Sequence, residues 1–329
     1  MVAKKEHWRE REAATHIAAV ARRVTAHQGL VAMGLDMAAD QDNWGLCVLL
    51  VDDGLQSAEL ALLLPRAATR SDGVPAAAVR LLPSEAILRC LLDAAQGGTT
   101  RCSLAVDVPF GWPDEHATFT GSWSAVSKIS QGALPSRDEF ERRLCDREFR
   151  RAFDGLMPFA VGADSIAQAA FVWCKTLQGL GNLAGSIDVG VGPLDDPVAT
   201  FETYPAAFVR NVMPQYINYK SIPEQRSALL ASLVGSGYPL RVGNAGTASA
   251  IQETEWCRWA INQRGSPDAF DALLCAFTAW DHLRYRFGQS GTTLSTPQVV
   301  LGRALANREL ERVMREGWIL VQMPRKSGA

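Results

Sequence analysis

The chain has 329 residues, of which 47% are hydrophobic and 21% are charged, and its formal net charge at pH 7 is −2. This composition is typical of a globular protein and excludes a disordered chain. The small net charge means that the protein as a whole does not attract polyanions, so nucleic acid would have to bind at a local basic patch. Seven cysteines without C-x-x-C spacing and five dispersed histidines argue against a zinc site and predict free thiols in a reducing cytoplasm.

The N-terminal residues predict a helix that packs on the domain. Apolar side chains at Ile17, Val20 and Val24 recur at helical spacing within residues 6–27. This segment carries glutamates and lacks a continuous apolar stretch, so we do not interpret it as a targeting signal. No apolar run approaches the roughly 20 residues that span a bilayer, so we expect a cytoplasmic protein with no membrane partner. Residues 1–29 are therefore predicted to be an N-terminal helical extension.

Three short apolar runs predict an antiparallel meander. They cover residues 30–36, 44–51 and 58–64, and Asp53-Gly54 between the last two runs is a strong hairpin signal. Consecutive strands with tight connections pair with one another in antiparallel fashion. The first run ends in Asp36, which makes that carboxylate a candidate functional group.

The remainder of the chain predicts helices, two further strands and an insertion. Residues 114–197 are irregular and are interpreted as a helical insertion, with helices over 136–153 and 164–180. Together the elements predict an α/β fold with a five-stranded mixed sheet, in one domain over residues 30–323 followed by a tail over 324–329. The other predicted elements are strands over 102–107 and 198–204, helices over 83–95, 224–234, 251–262 and 309–315, a long apolar helix from Pro267, and a late edge strand over 317–321.

Carboxylates occur at the ends of three predicted strands and at the beginning of the long helix. Asp36, Asp107 and Glu202 end the strands. Asp268 and Asp271 are three residues apart and share one helix face. If these elements converge at one edge of the sheet, the repulsion between their carboxylates requires cations, and two Mg²⁺ or Mn²⁺ ions about 3.5 to 4 Å apart would supply them. Such a pair of ions activates water for phosphodiester hydrolysis.

Each of these acids also has an ordinary structural explanation. An aspartate at the end of a strand commonly forms a turn. Asp268 lies in the first helical turn, where a negative charge complements the helix dipole without any metal. Asp271 lies deeper in the helix between apolar neighbours, and this explanation fits it less well.

Four basic residues are candidate phosphate ligands. On a continuous helix over 136–153, Arg143, Arg147 and Arg150 would share one face and could contact the phosphates beside a scissile bond. The alternative is a solvated face with ion pairs to neighbouring acids such as Asp146. Lys220 is either a further phosphate ligand or an ordinary exposed loop lysine.

Five blocks of the sequence resemble the motifs of a family of predicted RNase H-like nucleases that is classed as a domain of unknown function, family 429. The blocks span roughly residues 31 to 323. Their last block is also similar to the last helix of RuvC-type Holliday-junction resolvases. The blocks are Gly34-Leu35-Asp36, Ala105 to Pro113, Arg143 to Arg150, Phe201 to Pro205 and Asp268 to Leu273.

The resemblance implies an RNase H-like fold and a two-metal nuclease site with Mg²⁺ or Mn²⁺. In that site Asp36 would bridge both ions, Asp107 and Glu202 would complete the two coordination shells, and Asp271 would hold the second ion, with Asp268 as a further ligand. Two alternatives stay open: an actin-like or sugar-kinase-like phosphotransferase that uses ATP, and a non-catalytic RNase H-like binding module. The nature of the nucleic acid and the oligomeric state, including a dimer, also stay open.

Overall fold

In the computed structural model, the described residues are 15, 17–38, 44–64, 84–98, 101–121, 136–153, 158, 164–191, 195–242, 267–289 and 291–324. They form a mixed α/β structure around one sheet. The strands are β1 (Leu30–Asp36), β2 (Gly45–Val51), β3 (Ala58–Leu64), β4 (Arg101–Asp107), β5 (Ser186–Ile187), β6 (Val198–Glu202) and β7 (Leu240–Val242).

Helices cover both faces of this sheet. The first, α1, covers residues 17–26. The other α-helices are α2 (Glu85–Gln96), α3 (Asp114–Gly121), α4 (Arg137–Glu141), α5 (Leu144–Ala152), α6 (Asp164–Leu180), α7 (Pro205–Val212), α8 (Pro223–Ser236), α9 (Asp268–Arg286), α10 (Pro297–Leu301) and α11 (Asn307–Glu316). The 3₁₀ turns are Gly181–Ala184 and Pro214–Tyr216.

Within the part of the chain that the structure describes, the sheet has seven strands in the order β5-β6-β4-β1-β2-β3-β7, and the prediction of five strands is therefore wrong. The two additional strands, β5 and β7, have two and three residues and lie at the two edges. Strands this short carry no alternation of apolar and polar residues that a sequence pattern could detect.

The antiparallel meander is confirmed. Strand β1 pairs with β2, and β2 pairs with β3, both in antiparallel fashion. On its other side β1 pairs in parallel with β4, and β4 pairs in parallel with β6. The register of β1 and β4 places Asp36 directly beside Asp107.

The long helix α9 crosses one face of the sheet and is buried on all sides. The sequence predicted that this helix buries only one apolar face. In the structure every residue from Ala269 to Leu283 is buried. A Cβ atom on Gly34 of β1 would lie 2.1 Å from the carbonyl oxygen of Ala272, and one on Gly45 of β2 would lie 2.2 Å from that of Asp268. These two glycines therefore allow the helix backbone to touch the strands.

A second apolar layer covers the opposite face of the sheet. The residues predicted to form the buried side of the N-terminal helix, Ile17, Val20 and Val24, are buried in this layer. They share it with side chains of β1 and with Trp173 of α6, which has no exposed surface. Helix α1 therefore packs on the domain as predicted.

Several predicted elements differ from the observed ones. The predicted helix over 136–153 is two helices, because Arg142 and Arg143 have extended backbone angles between α4 and α5. Helix α9 begins at Asp268, one residue after Pro267. The predicted strand over 317–321 is an isolated bridge between Ile319 and Glu202. The predicted helix over 251–262 lies outside the described residues.

The sequence also led to expectations about membrane-spanning helices and about the cysteines. Among the described residues, the structure holds no helix whose length and apolar character would allow it to cross a bilayer. The described cysteines have free thiols, as expected; they are Cys47, Cys90, Cys102, Cys145, Cys174 and Cys275.

Candidate metal centre

Three carboxylates converge where β1 and β4 end. Asp36, Asp107 and Asp271 each offer one oxygen, and these three oxygens all lie within 4.8 Å of one another. Asp36 and Asp107 are paired in the parallel register of the two strands. Asp271 lies in the first turn of α9, which packs across the same two strands. The structure therefore brings together three of the five carboxylates that the sequence named as candidates.

The alternation of side chains along the strands explains why the first two acids face the helix. Ala32 and Ala105 belong to the core on the α9 side of the sheet. Asp36 and Asp107 follow them at even spacing and therefore lie on the same face. Gly34 lies between Ala32 and Asp36 on that face and lets α9 approach closely enough to bring Asp271 to the cluster.

Burial and mutual repulsion perturb the carboxyl groups of this cluster. The pKa of Asp36 is raised well above its usual value by burial, and the nearby charges of Asp271 and Asp107 raise it further. Burial raises the pKa of Asp107 to about 7, although the ammonium group of Lys220 opposes this shift. Carboxyl groups held in this state favour a proton or a metal cation over exposure as free anions.

Two consecutive residues hold the carboxylate of Asp271. The hydroxyl of Tyr219 donates a hydrogen bond of 2.8 Å to its Oδ1 atom, and the Nζ atom of Lys220 lies 2.6 Å from its Oδ2 atom. Tyr219 is buried, and burial raises the pKa of its hydroxyl well above the usual value, so it stays a donor. The Lys220 side chain is 43% exposed, so its ammonium group lies at the solvent side of the cluster.

A buried arginine fixes the backbone of this Tyr-Lys pair. Arg226 of α8 donates hydrogen bonds to the carbonyl oxygens of Tyr219, at 2.9 Å, and Lys220, at 2.7 Å. Sequence reasoning missed Tyr219 and Arg226. The one feature of the sequence that could have indicated Tyr219 is its position directly before Lys220, a candidate phosphate ligand.

Glu202 lies outside the acidic cluster. It pairs in register with Val106, whose side chain belongs to the core on the face opposite α9, so Glu202 points away from the face that carries Asp107. Its two carboxylate oxygens each lie 2.5 Å from a guanidinium nitrogen of Arg143, and one of them accepts a 3.0 Å hydrogen bond from the backbone N–H of Phe110. The structure thus assigns Glu202 an ion pair, and not the metal ligation expected of it.

Asp268 also lies outside the group of three. It is the first residue of α9 and is half-buried. Its charge is the weakest of the influences that raise the pKa of Asp36. This position agrees with the alternative explanation of Asp268 as an acid that complements the helix dipole.

The three arginines do not share one exposed face, because the helix on which that prediction depended is broken before Leu144. Arg143 is 1% exposed, and it bonds both oxygens of Asp146 as well as Glu202. Arg147 is half-buried, and Arg150 is exposed. Of the two alternatives for Arg143, the ion pair with Asp146 is the one the structure contains.

A second buried polar chain ties α9 to the sheet below the cluster. The Nδ1 atom of His282 lies 2.8 Å from the hydroxyl of Ser103, and its Nε2 atom lies 2.7 Å from a carboxylate oxygen of Asp188. Ser103 and His282 have no exposed surface, and burial lowers the pKa of His282. With its hydroxyl inaccessible, this Ser-His-Asp chain holds β4 against α9 and is not a catalytic triad.

The residues of the acidic cluster fit a hard divalent cation. Mg²⁺ and Mn²⁺ prefer oxygen ligands, and all three members of the cluster are carboxylates. No hydrogen bond to the carboxylate of Asp36 or Asp107 comes from any of the described residues. Both groups therefore have lone pairs available to a cation.

The fold and the cluster define a mixed α/β protein with converging carboxylates at the carboxyl ends of two parallel strands. Residues 34–300 match the model of the family described as "Protein of unknown function (DUF429)", and the chain belongs to this family. The matched range contains Asp36, Asp107 and Asp271. Comparisons with curated proteins and with solved structures gave no match.

Proposed function

We propose that the protein is a metal-dependent nuclease with an RNase H-like fold that hydrolyses phosphodiester bonds of nucleic acid with Mg²⁺ or Mn²⁺. The observation that supports this most directly is the convergence of Asp36, Asp107 and Asp271, with one oxygen of each inside a span of 4.8 Å. Groups so close repel one another, and a divalent cation removes the repulsion.

The topology supports the same proposal. The central strands form an antiparallel meander, β1 to β3, followed by two strands that run parallel to β1. The late helix α9 brings the last acid to the ends of β1 and β4. This order of elements is the one predicted from the sequence, and β5 and β7 only extend it at the edges.

The residues of the site have separate roles in this proposal. Bound Mg²⁺ or Mn²⁺ would supply an acidified water and stabilise negative charge on the phosphate. Asp36 and Asp107 would hold the cation with oxygens that have no competing hydrogen bonds among the described residues. Tyr219 fixes the orientation of the Asp271 carboxylate. Glu202 supports the segment after Asp107 through the backbone N–H of Phe110.

The contact to nucleic acid is proposed to involve a local basic patch beside the carboxylates. Lys220 is the basic residue that the structure places at the cluster. Arg147 and Arg150 stay candidate phosphate ligands, whereas Arg143 is enclosed by carboxylates and unavailable for this role.

The test is a panel of single-stranded, duplex, hybrid and branched nucleic acids incubated with Mn²⁺. The wild-type protein is expected to cleave at least one of them, and Asp36→Asn is expected to abolish that cleavage. Asp53→Asn is a matched control, since Asp53 is an exposed aspartate in the turn after β2. Equal cleavage by wild type and Asp36→Asn would contradict the proposed mechanism.

A further inference from the structure

We infer that Lys220 is a built-in counter-ion of the carboxylate cluster, so that the site takes one divalent ion in the absence of nucleic acid and not the two expected from the sequence. This inference rests on the proposed function, because it concerns the same site. It assigns Lys220 a role in metal binding in addition to the phosphate contact proposed for it.

The contacts of Asp271 are the first part of the argument. Each of its carboxylate oxygens already has a partner, Tyr219 on Oδ1 and Lys220 on Oδ2. The lysine nitrogen is 2.6 Å from Oδ2, the separation of a direct charge-assisted hydrogen bond. A second metal ion on the Oδ2 side of Asp271 would meet this ammonium group and be repelled by its positive charge.

The charges around the cluster are the second part. Three ionised carboxylates and one ammonium group leave two negative charges, which a single divalent ion balances. Further out, Arg143 faces two carboxylates, Glu202 and Asp146, and Arg226 attracts Asp271 more strongly than Asp268. A second divalent ion would therefore leave excess positive charge until a phosphate group arrives.

The position of Lys220 is fixed by its own backbone. Arg226 holds the carbonyl oxygens of both Tyr219 and Lys220, so the Tyr-Lys pair cannot leave the cluster without breaking buried hydrogen bonds. The lysine nitrogen also lies 6.0 Å from the centre of the Tyr219 ring. The backbone that carries the Lys220 side chain is thus held at the cluster, and the ammonium group itself is held by Asp271.

The experiment is Mn²⁺ titration of the full chain by calorimetry and by electron paramagnetic resonance, without nucleic acid. Wild type is expected to bind one ion. Lys220→Met removes the competing charge and is expected to lower the Kd for Mn²⁺ by at least about tenfold, or to admit a second ion. Lys220→Arg keeps the charge and is expected to bind as wild type does. Lys175→Met, a change at an exposed lysine of α6, is the matched control.

The outcomes separate this inference from the proposed nuclease. Two ions in wild type, or an unchanged Kd and stoichiometry in Lys220→Met, would overturn the counter-ion role while leaving nuclease activity intact. Tighter binding in Lys220→Met together with no cleavage of any nucleic acid would support the counter-ion role and overturn the nuclease. Absence of Mn²⁺ binding in wild type and Lys220→Met alike would overturn both. A thermal melt of each variant confirms that it is folded.

Discussion

The buried Arg143 predicts a large loss of stability when it is truncated. Its guanidinium group bonds both oxygens of Glu202, both oxygens of Asp146 and the carbonyl oxygen of Glu316, at distances from 2.5 to 3.1 Å. Arg143→Ala leaves two carboxylates that are 3% and 0% exposed without this cation. Removing one partner of a buried ion pair costs about 3 to 5 kcal/mol, and we expect the free energy of unfolding to fall by that amount.

The assay is urea denaturation followed by tryptophan fluorescence, for which the fully buried Trp318 and Trp173 are suitable probes. Arg150→Ala is the control because Arg150 is exposed on α5, the helix that begins directly after Arg143, and its effect is expected to stay within about 0.5 kcal/mol. Combining Arg143→Met with Glu202→Gln is expected to cost less than the sum of the single changes, since the charge left behind is also removed.

The opposite result has a clear meaning. If Arg143→Ala changes the free energy of unfolding by less than about 1 kcal/mol, the ion-pair network does not support the fold as described. If that variant also loses nucleic-acid binding, Arg143 is a phosphate ligand after all, as the spacing of the arginines first suggested.

Three further predictions concern the cluster and its support. In the folded state the pKa of Asp107 is raised from 3.8 to about 7, so between these two pH values the folded protein binds more protons than the unfolded chain. With metal ions removed by EDTA, the free energy of unfolding is therefore expected to fall as the pH rises through this range. The fall is expected to be less steep in Asp107→Asn. Equal pH slopes in urea denaturation would contradict this. His282→Leu removes the partner of the Ser103 hydroxyl and of one carboxylate oxygen of Asp188 in the core, so the free energy of unfolding is expected to fall by about 2 to 4 kcal/mol. An unchanged melting temperature would contradict this expectation. Gly34→Ala forces α9 away from β1, so calorimetry is expected to show weaker Mn²⁺ binding as well as lower stability; normal Mn²⁺ affinity would show that the close contact does not position the site.

The three converging acids are among the five carboxylates named from the sequence, because local signals locate them. Asp36 and Asp107 end strongly apolar runs, and Asp271 interrupts an apolar helix without a capping role. Parallel pairing of the two runs then places the first two acids side by side. The family was recognisable from the same residues, and the match over residues 34–300 confirms it.

The error at Glu202 has a different origin. Its strand also ends in an acid, but a shift of one residue in pairing decides which face a side chain occupies, and Glu202 pairs with Val106 instead of Asp107. No local pattern encodes that register. The break in the predicted helix before Leu144 could not be predicted from local sequence either. The backbone N–H of Leu144 donates a hydrogen bond to the carboxylate of Glu316, which lies far away in the sequence.

The close packing of α9 on the strands has a consequence for the synthesis of the protein. The first two acids of the cluster leave the ribosome before Asp271 and the apolar helix that carries it, because they precede both in the sequence. A nascent chain that stops before Asp268 exposes one apolar face of the sheet and lacks the third carboxylate. The proposed nuclease site is therefore complete only when the sheet is covered, so an unfinished chain carries no active centre.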